Sequence, residues 1–121
     1  AVDRAYANLP RGQYLALMRD CSALVGNSSS GILEAPSFGT PAVNIGHRQT
    51  ARVQGAKVIK AVRRDLADIS TALARALSPE FKGEIAGLIN PYGDGHSSSR
   101  ILDVIESTRI DDRLVSKQIS Y

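Results

Sequence analysis

Ala23-Leu24-Val25-Gly26 is a short apolar run that breaks directly into a polar, glycine-containing bend, Asn27-Ser28-Ser29-Ser30-Gly31. A helical pattern begins at once after it, over residues 32–38. A strand that hands over to a helix across so short a bend is the building unit of a parallel α/β sheet. The same rhythm continues on both sides. Residues 2–6 read as an opening strand, and residues 11–19 as a helix with Tyr14, Leu17, Met18 and Cys21 at helical spacing. Ala42-Val43-Asn44-Ile45 reads as a further strand and Lys57-Val58-Ile59 as a short one. The fold class expected is therefore α/β, with a partial Rossmann-like parallel sheet.

Two further helices complete the pattern. Asp65 is placed to cap one whose apolar stripe is Leu66, Ile69, Leu73 and Leu77, a stripe read as core packing. Residues 97–107 form the other, with Ile101, Leu102 and Ile105 expected to point inward. Gly39 and Pro41 end the helix at 32–38, but Pro36 lies inside it. Proline removes a backbone donor, so that helix is expected to kink or shorten. Residues 111–121 show no clear period and read as a tail.

With 121 residues, 43% of them apolar and 22% charged, the chain has material for one modest core. One domain, or a piece of one, is the ceiling. No stretch approaches the ~18 apolar residues of a membrane helix, and the N-terminus lacks the basic-then-apolar order of a signal peptide. The cytoplasm is the expected compartment. A single cysteine, Cys21, leaves no disulfide framework within the chain and no multi-cysteine zinc site. The sequence pI of 9.3 invites a nucleic-acid reading. The bases are scattered, however, and four Tyr, two Phe and no Trp offer little to stack on bases. A net charge of +3 suits a pocket for a small anion equally well.

Ligands of parallel α/β sheets bind beyond the carboxyl ends of the strands, where loops enter helices. The bend after Gly26 is such a place. Backbone N–H groups opening the helix, the hydroxyls of Ser28, Ser29 and Ser30, and close backbone approach at Gly31 would together favour an anion. The segment has neither the P-loop spacing nor the dinucleotide glycine pattern. Two readings of these residues stand side by side: phosphate binding, and ordinary helix capping. Glu34, one turn further on, is either a solvated helix charge or an acceptor for ribose hydroxyls. His47 and His96 are far apart without a third ligand, so no metal is expected. Gly93-Asp94-Gly95 reads as a turn leading into the last helix, since the acidic positions of a calcium loop are missing.

The stretch from Val25 through Asn27-Ser28-Ser29-Ser30-Gly31-Ile32-Leu33-Glu34 to Pro41 resembles the nucleotide-binding segment of the hydrolysing UDP-N-acetylglucosamine 2-epimerases. Asn44-Ile45-Gly46-His47-Arg48-Gln49 is similar to its continuation in the sialic-acid-pathway branch, and Asn90-Pro91-Tyr92-Gly93-Asp94-Gly95 with Arg100-Ile101-Leu102 to the C-terminal signature. The three blocks stand in the family's order.

The resemblance implies a glycosyltransferase-B-like enzyme of two Rossmann-like domains, with UDP-sugar held in the cleft between them. Residues 1–110 would be the C-terminal UDP-binding half-domain, without the opening strands and the N-terminal domain, and 111–121 a tail. It places the diphosphate at Ser28 and Ser29, beside Ser30 and Gly31, and the ribose at Glu34. Arg48 would meet phosphate charge, with Arg52 as second choice. Leu9 would lie at the uracil edge, and Tyr14 beside the base or, alternatively, in helix packing. The reaction implied is conversion of UDP-GlcNAc to N-acetylmannosamine plus UDP, without a cofactor. No catalytic acid or base is assigned within these residues, and the chain alone is expected to be inactive. The unpaired strand edges lead to the expectation of a homo-oligomer or a rearranged sheet. Two other functions fit the same bend: half of a GT-B glycosyltransferase, and a non-catalytic sugar-nucleotide-binding or assembly module.

Overall fold

A computed structural model describes residues 3–53 and 58–116, apart from the side chain of residue 113. Its centre is a three-stranded parallel sheet in the order β1 (Leu24–Gly26), β2 (Ala42–Ile45), β3 (Val58–Ala61). Leu24 pairs with Ala42 and Gly26 with Asn44, while Ala42 pairs with Val58 and Ile45 with Ala61. The strands match those expected at 23–26 and 42–45. The third runs on to Ala61, beyond the expected Ile59; Lys57 of that expectation lies outside the described residues.

Alternation along β2 sends successive side chains to opposite faces, and each face has its own core. On one side Val43, Ile59 and Ala61 pack with Ala72 and Ala76 of α3 (Leu66–Leu77) and with Phe81 and Ile85 of α4 (Pro79–Ile85). On the other, Ala42 packs with Met18 of α1 (Arg11–Asp20) and Ala35, against Tyr14, Leu24 and Val58. The arrangement is an α/β partial Rossmann-like domain with helices on both faces of the sheet.

Both helices of the first face start on side-chain caps. The Asp65 carboxylate accepts from the Asp68 N–H at 2.7 Å, and Ser78 Oγ from the Phe81 N–H at 3.2 Å, with Pro79 in the first turn. Alanines 72 and 76 let α3 approach the sheet closely. That rotates the expected stripe: Ile69 is partly buried, but Leu66 is 83% exposed and Leu77 sits at the surface.

Three other expectations are corrected. The described part of residues 2–6 forms no strand; it is exposed and meets no ladder partner among the described residues. The helix expected over 32–38 is divided into α2 (Ser30–Leu33) and a 3₁₀ turn, Ala35–Phe38, with Pro36 in its first turn and Gly39 closing it at φ 64°. Proline cannot donate to the preceding turn, so the α ladder stops at the Glu34 N–H, which bonds the Ser30 carbonyl. Helix α5 (Ser97–Ser107) forms as expected, but Ile101, Leu102 and Ile105 are all exposed, because no described element covers that side. A last short helix, α6 (Asp112–Val115), lies where the sequence shows no period. Among the described residues, no helix is long and apolar enough to cross a membrane.

Candidate functional site

The carboxyl ends of β1 and β2 release two loops, and a buried glutamine joins them. Gln49, 4% exposed, donates from Nε2 to the Asn27 carbonyl at 3.0 Å. The loop following Gly46 turns tightly to allow this, with the Thr50 N–H and Oγ1 both on the His47 carbonyl. The third block closes over the same region. Asn90 Nδ2 reaches the Leu33 carbonyl at 2.9 Å and Ser37 Oγ at 2.7 Å, and Tyr92 Oη donates to the Val53 carbonyl at 2.6 Å. Three segments far apart in sequence are thus stitched into one surface.

A pocket of about 160 Å³ opens beside the first loop, lined by Tyr14, Val25, Gly26, Ser28, Ser30, Gly31 and Asn44 together with apolar side chains of the sheet. Its polar wall is a chain of hydroxyls. Tyr14 Oη and Ser30 Oγ are 2.7 Å apart, and Ser30 Oγ donates to Ser28 Oγ at 3.0 Å. Ser30 spends its proton on Ser28, so the Tyr14 phenol is the donor to Ser30. Ser28 Oγ also takes the Ser30 N–H at 3.4 Å. As an acceptor of two bonds, it keeps its own proton to donate. Such chains polarise each member.

The cap-like bond of this turn comes from Ser28, whose Oγ accepts the Ser30 N–H, and not from Ser29, whose side chain makes no cap bond and whose backbone is already helical at φ −64°, ψ −20°. The Ser29 carbonyl holds the Ile32 and Leu33 N–H groups, both at 2.9 Å. With only four residues, α2 has little macrodipole; local N–H and O–H groups are what an anion would meet. A Cβ at Gly31 would make ordinary contacts, 3.5 Å from Ala42 and 3.6 Å from Leu24, so packing alone does not require glycine there.

Glu34 is neither free nor simply solvated. Its Oε1 meets Arg11 Nη2 at 2.7 Å, with the glutamate side chain 25% and the arginine 73% exposed. Arg48 and Arg52 are exposed on the loop that Gln49 anchors. Leu9 is half-buried just before α1 and does not line the pocket. The structure therefore brings Tyr14, Ser28, Ser30 and Gly31 into one pocket, with Ser29 in the same turn. Glu34 lies just past the end of α2, and the two arginines lie on the neighbouring loop. His47 is exposed, and no group of His, Cys, Asp or Glu suited to a metal occurs among the described residues. Asp94 has a structural duty. It accepts two bonds from Arg100, at 2.8 and 2.6 Å, and one from the His96 N–H at 3.1 Å, which hold its carboxyl well below the ordinary range.

Two polar residues of the site were given no role by the sequence, Asn44 and Gln49. They stood in the second block of the resemblance, as polar residues in and after an apolar strand.

Residues 3–106 match the family model described as UDP-N-acetylglucosamine 2-epimerase. The chain belongs to the UDP-N-acetylglucosamine 2-epimerase family. It is 40% identical over 79 residues, 65% of the chain, to a GDP/UDP-N,N'-diacetylbacillosamine 2-epimerase (hydrolyzing) of Campylobacter jejuni, covering 20% of that relative. It is 33% identical over 120 residues, 98% of the chain, to a UDP-N,N'-diacetylbacillosamine 2-epimerase (hydrolyzing) of Legionella pneumophila, covering 30% of it. A polysialic acid biosynthesis protein, P7, of Escherichia coli is 37% identical over 83 residues, 65% of the chain and 20% of the relative. The chain thus spans only between a fifth and a third of the length of these relatives.

Proposed function

We propose that these residues form the nucleotide-binding part of a hydrolysing UDP-sugar 2-epimerase and hold the diphosphate of the substrate. The observation that carries this reading is the Tyr14–Ser30–Ser28 hydroxyl chain along the pocket, at the end of which Ser28 still has a proton to donate. Ser28 and Ser29 donate their hydroxyls to the diphosphate, next to the backbone of Ser30 and Gly31. Arg48 adds a planar guanidinium from the neighbouring loop, and Arg52 is the second choice for that part. Glu34, oriented by Arg11, accepts the ribose hydroxyls, and Leu9 and Tyr14 lie toward the base.

In the reaction proposed, the C2 proton is removed and the C1–O bond to UDP breaks, leaving an unsaturated sugar. Water then adds across the double bond, and N-acetylmannosamine is released with C2 inverted. The charge that grows on the departing diphosphate is what preorganised donors stabilise. Proton transfer at C2 needs a separate acid and base, and none is assigned within these residues. No cofactor takes part. The full enzyme is read as a cytoplasmic homo-oligomer of glycosyltransferase-B-like architecture, of which residues 1–110 form a UDP-binding half-domain and 111–121 a tail. The family match favours this over a glycosyltransferase half-domain or a non-catalytic module.

The names of two relatives favour a second substrate, UDP-N,N'-diacetylbacillosamine. Calorimetry with UDP, and assays of the chain with both UDP-sugars, test the proposal. Binding of UDP at micromolar to sub-millimolar concentration without turnover is expected. No binding at millimolar UDP overturns the reading.

A further inference from the structure

Asn44 is 5% exposed, and its Oδ1 meets no donor among the described residues. Its Nδ2 is held only loosely, by the Gly46 carbonyl at 3.4 Å. A buried acceptor without a donor is costly, and native proteins rarely keep one without a use. Its position says where that use lies. Asn44 pairs with Gly26, the last residue before the serine bend. Strand alternation points it to the same face as Ala42, which packs beneath Met18 and Tyr14. It lines the same pocket as Ser28.

We propose that Asn44 is a ligand-contacting residue whose Oδ1 accepts a hydrogen bond from a sugar hydroxyl adjoining the bound phosphate. The pocket then presents a donor at Ser28 and an orphaned acceptor at Asn44, a pair that matches a phosphate ester of a sugar better than phosphate alone. This inference rests on the diphosphate reading of Ser28 given above. A UDP-sugar has hydroxyls on both flanks of its diphosphate, on the ribose and on the hexose.

The test is Asn44→Leu, which keeps the side-chain shape and removes the amide. Binding of inorganic pyrophosphate, UDP and UDP-GlcNAc to the full chain is measured by calorimetry, and thermal unfolding is recorded for both proteins. Pyrophosphate affinity is expected to stay within about twofold. UDP weakened about tenfold, as for a lost buried hydrogen bond, places the hydroxyl on the ribose. Weakening of UDP-GlcNAc alone places it on the hexose. The melting temperature is expected to hold or rise, because the substitution removes an unpaired acceptor. Unchanged affinity for both nucleotides overturns the inference and leaves the diphosphate reading standing. A lower melting temperature with all three ligands weakened equally also overturns it, since Asn44 would then be structural. A wild-type chain that binds none of the three overturns the diphosphate reading, and this inference with it.

Discussion

Tyr14 Oη and Ser30 Oγ lie 2.7 Å apart, one from the middle of α1 and the other from the first residue of α2. Local sequence does not join them. They meet because Met18, Ala35 and Ala42 seat α1 on the same sheet face as α2. Tyr14→Phe keeps the ring and removes this donor. A loss of about 1 kcal/mol in unfolding free energy and about a three- to tenfold loss of UDP affinity are expected. Urea denaturation and calorimetry measure the two; unaltered UDP affinity would remove the phenol from the binding chain.

Gln49→Ala cuts the link between the two loops at the strand ends. The lost bond to the Asn27 carbonyl and the space left in a buried site predict a destabilisation of about 1–3 kcal/mol. Amide exchange in residues 26–31 should accelerate more than exchange in α3. Equal acceleration of both would mean that Gln49 supports the whole sheet rather than the junction.

Arg11→Ala separates stability from binding. The pair with Glu34 is largely solvated on the arginine side, so unfolding should change by less than about 1 kcal/mol. UDP affinity should fall several-fold, because Glu34 then loses the partner that orients it toward the ribose and adds uncompensated negative charge near the nucleotide. A UDP affinity equal to wild type places Glu34 away from the nucleotide.

Asp94 predicts an acid-dependent contribution to the start of α5. Its folded pKa lies below the ordinary carboxylate value through Arg100 and the His96 N–H. The stabilisation is therefore present above about pH 4 and is lost as pH falls toward the lower folded value. Because the pair is exposed, the effect is small. Asp94→Asn should melt slightly below wild type at neutral pH, and the gap should close on acidification. A gap that does not narrow at all between neutral pH and pH 2 would show that the carboxylate charge is not the cause.

What was legible in the sequence was local chemistry. Gly26 ending a strand, the serine bend, Asp65 as a cap and Pro36 as a helix breaker each declare themselves through backbone geometry or side-chain hydrogen bonding. The α4 signal was also there, in Ser78 and Pro79, but so short a helix has too few apolar positions to show a period. Residues 2–6 show the limit from the other side: a short run can be read as a strand, yet a strand exists only with a partner ladder. Likewise the period of α5 marks an apolar side without saying what covers it. Within the site, the serines and Gly31 could be found because a bend concentrates them. The Arg11–Glu34 pair, the Gln49 link and the unpaired Asn44 oxygen depend on which loops the sheet brings together, and pairwise spacing contains none of that.

Every ladder in this sheet is parallel, so no two strands can zip together through a hairpin. Each pairing must wait until a helix or a long loop has closed between its members, which makes sheet assembly the slow event in folding. The pocket at the strand ends can acquire its shape only after that event, so nucleotide should speed recovery of the chain after the folding barrier and not before it.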